Sequence, residues 1–125
     1  MEKFEDAYLF EYYTFYPVGK FHVSSSIIGI IYLKYGVAGG SEDYYILNLY
    51  STSGEKTDEL IVGKEIGDLG FISRITSVIR QCEISSVETE FERYEDEDDS
   101  DDYREVSKEE KRYKIDAVHG KIEIQ

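Results

Sequence analysis

The residue types able to do chemistry are few in this chain and widely spaced. Cys82 is the single cysteine among 125 residues, and His22 and His119 are the only histidines. A nucleophilic thiolate needs a histidine or another cation beside it to lower its pKa. A zinc site needs three or four His, Cys or carboxylate ligands at short, regular spacing. Neither histidine stands at such a spacing from Cys82. The cysteine instead closes an apolar series, Phe71, Ile72, Ile75, Val78, Ile79 and Cys82, and reads as a buried thiol. Gly36, Gly39 and Gly40 lack the spacing and the following helix that a phosphate-cradling loop requires. Carboxylates are abundant, but a catalytic pair needs one acid raised in an apolar pocket, and a solvated run gives no sign of one. The expectation is a binding protein and not an enzyme, with no catalytic residue, no cofactor and no metal.

The chemistry that remains is charge. From Glu88 to Glu110 there are thirteen acids and three bases (Arg93, Arg104 and Lys108), a balance of −10 in a chain whose net charge is −13. The densest part is Glu95, Asp96, Glu97, Asp98, Asp99, Asp101 and Asp102, interrupted only by Ser100. Asp96, Asp98 and Ser100 have the one-apart spacing of calcium ligands. The EF-hand pattern then requires Gly and Glu where this chain has Asp101 and Ser107, so the pattern fails. Most charge runs are solvated loops. The functional alternative is a docking surface for a basic groove. Residues on one face of a strand recur every ~6.6–6.8 Å, close to the spacing of phosphates along one nucleic-acid strand. Phe91, Tyr94 and Tyr103 flank the acids and are the candidates for a desolvated centre of such an interface.

The composition narrows the partner. A chain this acidic repels phosphate backbones, so direct nucleic-acid binding is not expected despite twelve tyrosines. Anionic membrane surfaces are disfavoured for the same reason. A basic protein is the natural complement. The longest apolar run, Ile27 to Leu33, is far short of the ~20 residues that cross a bilayer. Glu2, Glu5 and Asp6 argue against a secretory leader. A lone thiol suits a reducing compartment, so the expected location is cytoplasm, of a cell or of an infected host.

The elements that must carry these residues read as mostly extended. Ala7 to Tyr16 is rich in Tyr, Phe and Thr and fits a strand, with Pro17 and Gly19 punctuating a turn. Phe21 to Tyr35 is a second strand, with Gly29 as a bulge candidate. Tyr44 to Tyr50 is a third, apolar on both faces and therefore central, and Leu60 to Val62 is a short fourth. The period then changes. Phe71, Ile72, Ile75, Val78, Ile79 and Cys82 fit one face of a helix spanning about Asp68 to Gln81, with Asp68 as N-cap. Ile84 to Phe91, Tyr113 to Ala117 and Ile122 to Ile124 return to alternation, with Val118 to Lys121 closing a tight hairpin. The expected fold is α+β. It is one domain over 1–125 with a mostly antiparallel sheet of six or seven strands, one amphipathic helix on one face, and an acidic hairpin or loop excursion at about 88–110. The expected core is Ile30, Ile31, Leu47, Leu49, Phe71, Ile72, Ile75 and Ile79.

Size, acidity and the lack of catalytic groups suit a small inhibitor that occupies the basic channel of a nucleic-acid-handling enzyme. Phage counter-defence proteins of the anti-restriction and anti-CRISPR type have this profile, an analogy of composition alone. The alternatives are an immunity protein against a basic toxin, or a self-assembling structural domain whose tyrosine-rich strands form a homo-oligomer.

Overall fold

The computed structural model describes residues 13–36, 41–68, 70–93 and 103–125. They form one antiparallel sheet of eight strands, each paired with its neighbour in sequence. The strands are β1 (Tyr13–His22), β2 (Ile27–Gly36), β3 (Ser41–Ser51), β4 (Lys56–Asp68), β5 (Phe71–Arg80), β6 (Glu83–Arg93), β7 (Tyr103–Ile115) and β8 (Ile122–Ile124). Short connections between extended runs make this sequential antiparallel pairing the natural topology.

The expected helix is absent, and the α+β assignment is corrected to all-β. Phe71–Arg80 is β5, laddered to β4 on one side and to β6 on the other. Its apolar spacing satisfies two periods at once. Ile75 and Ile79 lie on one side of the strand with Ser73 and Ser77, and all four are at least half-buried, whereas Arg74, Thr76, Val78 and Arg80 are exposed. The serines on the packed side hide the alternation from a count of apolar residues. They are tolerated because the hydroxyls of Ser77 and Ser86 pair across the strands at 2.6 Å. The β-branched residues Ile72, Ile75, Thr76, Val78 and Ile79 favour the extended form. A two-residue turn at Gln81 and Cys82, with Gln81 at φ 53°, sends the chain straight back into β6. Asp68, the expected N-cap, instead pairs with Phe71 at the end of β4.

Strand boundaries also move. β1 runs through Pro17 and Gly19, and Val18 is an extra residue between Pro17↔Tyr32 and Gly19↔Ile31. Proline is tolerated there because β1 is an edge strand, where a missing N–H costs no ladder bond. Three more extra residues, Thr57, Val62 and Val106, interrupt the ladders in the same way. Gly29 is not one of them, since its register is unbroken between Phe21 and Leu49. A side chain at Gly29 would lie 2.6–3.1 Å from the Phe21 ring, so the glycine makes room for that aromatic.

The core gathers at one end of the sheet. Ile27, Leu47, Leu49, Val62, Ile84 and Ile115 are buried there, with Phe21, Val23, Ile31, Leu60, Ile79, Cys82, Tyr113 and Ile122 packed against them. This is the end with the turns at 23–26, 52–55, 81–82 and 116–121. Of the expected core, Leu47 and Leu49 are fully buried, while Ile30, Ile31, Ile72, Ile75 and Ile79 are half-buried and Phe71 is 40% exposed. The last hairpin is tied back to the first half of the chain. Ser24 Oγ donates to the Ala117 carbonyl at 2.7 Å, Lys121 Nζ to the Thr57 carbonyl at 2.7 Å, and the Ile122 amide to Asp58 Oδ2 at 2.7 Å. Gly120, at φ 67°, closes the 116–121 turn, and a Cβ on it would meet Ile27 Cδ1 at 2.8 Å. The ladder between β4 and β5 covers only Lys64–Asp68 with Phe71–Ile75, which leaves the start of β4 to meet this hairpin. No helix among the described residues is long and apolar enough to cross a membrane.

Candidate functional site

The acidic excursion at 88–110 divides into two kinds of chain. Residues 88–93 and 103–110 belong to β6 and β7, which are paired from Glu83↔Lys114 to Arg93↔Tyr103. Tyr94, Glu95, Asp96, Glu97, Asp98, Asp99, Asp101 and Asp102 lie outside the described residues. The charge divides unequally between the two. Residues 94–102 hold seven acids and no base, whereas the two strand arms together carry six acids and three bases.

Within the arms, alternation sorts side chains between two faces. One face carries Glu88, Glu90 and Glu92 at every second position of β6, a row of three carboxylates about 6.7 Å apart by strand geometry. Each meets a counter-group. Lys64 Nζ reaches from β4 across Ile75 to Glu88 Oε2 at 2.8 Å. The Ser107 hydroxyl donates to Glu90 at 3.2 Å, and the Arg104 guanidinium lies 3.6 Å from Glu92. Glu109, directly opposite Glu88, is 3.8 Å from Lys111. Without Lys64 and Lys111 that pair of carboxylates would repel across the ladder. A small cavity of about 50 Å³ lies beside it, lined by Ile61, Ile75, Ser86, Glu88, Glu109, Lys111 and Tyr113.

The opposite face holds the aromatic candidates. Phe91 sits across from Glu105 and Tyr103 across from Arg93, so the ladder brings Phe91 and Tyr103 to the same face. Both are half-buried. The Arg74 guanidinium lies over the Phe91 ring, 5.5 Å from its centroid. It also grips the Glu65 carboxylate through two bonds of 2.7 Å. This fork holds the Glu65 carboxyl below its ordinary pKa and the guanidinium above its own.

Residue type and spacing point to the flanking aromatics but not to the Glu88, Glu90, Glu92 row. A signal for the row is present as Glu-Thr-Glu-Phe-Glu, an acid at every second residue. The counter-charge from Lys64 carries no sequence signal, because two ladders bring it from 24 residues away.

Cys82 is half-buried in the β5–β6 turn against the core. His119 Nδ1 lies 2.9 Å from Asp116 Oδ2. That bond, with those from the His119 and Val118 amides to Oδ1, pulls the Asp116 carboxyl down to about 2. No group of three or more His, Cys, Asp or Glu that could hold a metal ion occurs among the described residues. Of the tyrosines, exposed Tyr16 stacks on Tyr35 with centroids 5.7 Å apart. Comparison with known proteins returns no relative: no family model, no curated protein and no solved structure matches this chain.

Proposed function

We propose that this chain is a small acidic binding protein, not an enzyme, that docks on a basic, nucleic-acid-handling partner and competes there with nucleic acid. The observation that carries this reading is the separation of charge along 88–110. Glu88, Glu90, Glu92 and Glu109 on β6 and β7 have counter-groups, while the seven acids of 94–102 are joined to strands paired at Arg93↔Tyr103. A laddered stem carrying a uniformly acidic connection suits insertion into a basic groove. Phe91 and Tyr103, on one face of that stem, offer apolar area beside the charge. Electrostatic complementarity raises the association rate and selects the partner, and the desolvated anchors supply residence time. This is the pattern expected of phage counter-defence inhibitors acting in the host cytoplasm.

The test is affinity capture from the native host, followed by competition with the captured protein's nucleic acid across a salt series. Neutralising Asp96, Asp98, Asp99, Asp101 and Asp102 together to Asn and Ser should weaken binding at least tenfold while the thermal melt is unchanged. Association of the wild type should slow as salt rises, since screening shortens to about 8 Å at physiological strength. Unaltered affinity in the neutralised variant, with no displacement of nucleic acid, would sink the mimicry reading.

A further inference from the structure

The acids of this chain are uneven in a second way. Of its 27 Asp and Glu residues, none falls between Glu11 and Glu42, and that stretch holds Lys20 and Lys34. It contains the whole of β1 and β2. A hairpin with two lysines and no acid is unexpected in a chain of net charge −13. The register puts Lys20 opposite Ile30 and His22 opposite Ile28, on the face turned away from buried Ile27. Tyr50 of β3 joins that face opposite Ile28. β2 and β3 are thus apolar on both faces, and the core residues Ile27, Leu47 and Leu49 account for only one of them.

The other face carries a hollow of about 260 Å³. Ile28, Ile30, Tyr32 and Tyr50 line it from half-buried positions, and Lys20, Thr52 and Gly54 line it from exposed ones. The Thr52 amide donates to the Ser26 carbonyl at 3.2 Å, so the 52–55 turn that forms one wall is tied to the 23–26 turn. No acid lines the hollow. Glu55 follows Gly54 in sequence but is not part of the lining. Glu59, opposite Asn48 on the same face, is held by Lys56 at 2.7 Å. Lys20 has no ion pair among the described residues.

We propose that this hollow binds a small apolar carboxylate, one aromatic ring on a short chain, with the ring against Ile28, Ile30, Tyr32 and Tyr50 and the carboxylate at the Lys20 ammonium. Size sets the body of the ligand. A cavity of roughly 150 Å³ takes one benzene ring, and pockets for drug-sized molecules begin near ~300 Å³. The space here lies between the two. The lining sets the division of labour, in which apolar area supplies affinity and one polar group fixes orientation. A single cation sets the charge. A nucleotide or another phosphate ester brings more than one negative charge to one lysine, in a protein whose own charge repels anions. The hollow lies at the end of the sheet with the 23–26 and 52–55 turns, and β6 and β7 meet segment 94–102 at the other end. Its ligand is therefore independent of the acidic run.

The experiment titrates the isotope-labelled full chain with 3-phenylpropionate and follows it by NMR. Saturable shifts are expected at the Ile28 and Ile30 methyls and the Tyr32 ring. The uncharged analogue 3-phenylpropanol keeps the ring and chain and should bind about tenfold more weakly, the lower end for loss of a hydrogen bond to a charged group. Butyrate keeps the charge without the ring and should produce no saturable shift at these groups. Lys20→Met, a change at an exposed side chain, should weaken the acid by the same factor and leave the alcohol as it was. The variant neutralised at Asp96, Asp98, Asp99, Asp101 and Asp102 should bind the acid as the wild type does. Absence of saturable shifts at Ile28, Ile30 and Tyr32, equal binding of acid and alcohol, or unchanged affinity in Lys20→Met would each overturn the proposal.

Discussion

At the end of the sheet with the turns 23–26, 52–55, 81–82 and 116–121, five strands contribute buried aliphatic side chains, and three hydrogen bonds lock the last hairpin to the first half of the chain. At the end where β6 and β7 meet segment 94–102, the same sheet carries glutamates, lysines and arginines on both faces. The two regions share one backbone pattern and differ in what lies over it. Burial holds the first together. The second is held by ladder bonds and paired charges, which are individually worth ~0–1 kcal/mol at a solvated surface. A sheet built this way has its buried core at one end and its solvated charge at the other.

The largest expected effect comes from opening the core. Leu47→Ala should destabilise by about 2–5 kcal/mol, whereas Val106→Ala, at the exposed extra residue of β7, should stay within about 0.5 kcal/mol. Urea denaturation of the two variants measures the contrast, and similar losses would show that the charged end is packed as tightly as the core.

Next in size is the closing turn. Gly120→Ala forces a Cβ into a left-handed backbone position against Ile27 and Thr57, and should cost roughly 1–3 kcal/mol. An unchanged melt would mean that the last hairpin is not locked to the core end. Ser77→Ala leaves the Ser86 hydroxyl without its partner on the packed side of the sheet and should cost about 1–3 kcal/mol. Removing both hydroxyls should cost less than this single change, which a double-mutant cycle resolves.

A pH effect separates the ends differently. Asp116 has its folded-state pKa depressed to about 2 from an ordinary 3.8. Its contribution is therefore present above the ordinary value and is lost as pH falls through the folded one. Between pH 4 and pH 2 the wild type should lose more thermal stability than Asp116→Asn, and a parallel loss in both would remove the turn from the account. Glu65, lowered by Arg74, acts with the same sign. The smallest effect is expected at the acidic run. Replacing residues 95–102 by a short Gly/Ser loop should leave the melting temperature equal or slightly higher at low salt, because seven like charges repel. A large drop would mean that this segment is built into the fold.

Several features are legible in the residue types and their order. The antiparallel strands around Tyr44–Tyr50 and Ile84–Phe91 follow from β-branched and aromatic content, and the last hairpin from Val118, His119 and Gly120 ahead of an alternating Ile122 and Ile124. Leu47 and Leu49 are expected in the core and are buried. Phe71–Arg80 reads as a helix because FISRITSVIR satisfies a helical period, and its alternation becomes visible only when Ser77 meets Ser86 across a ladder. Pro17 and Gly19 suggest a turn, and an edge position lets the strand run through them.

Residue types and their order determined the sign and placement of the charge, the single thiol and the abundance of strand-forming residues, because these belong to the chain before it folds. The tertiary structure decided which charges have counter-groups and which side chains share a face. Lys64 answers Glu88 only because two ladders lie between them, and Ser77 meets Ser86 only because β5 and β6 pair in that register. Both are relations between strands, and one chain read in order holds no record of register.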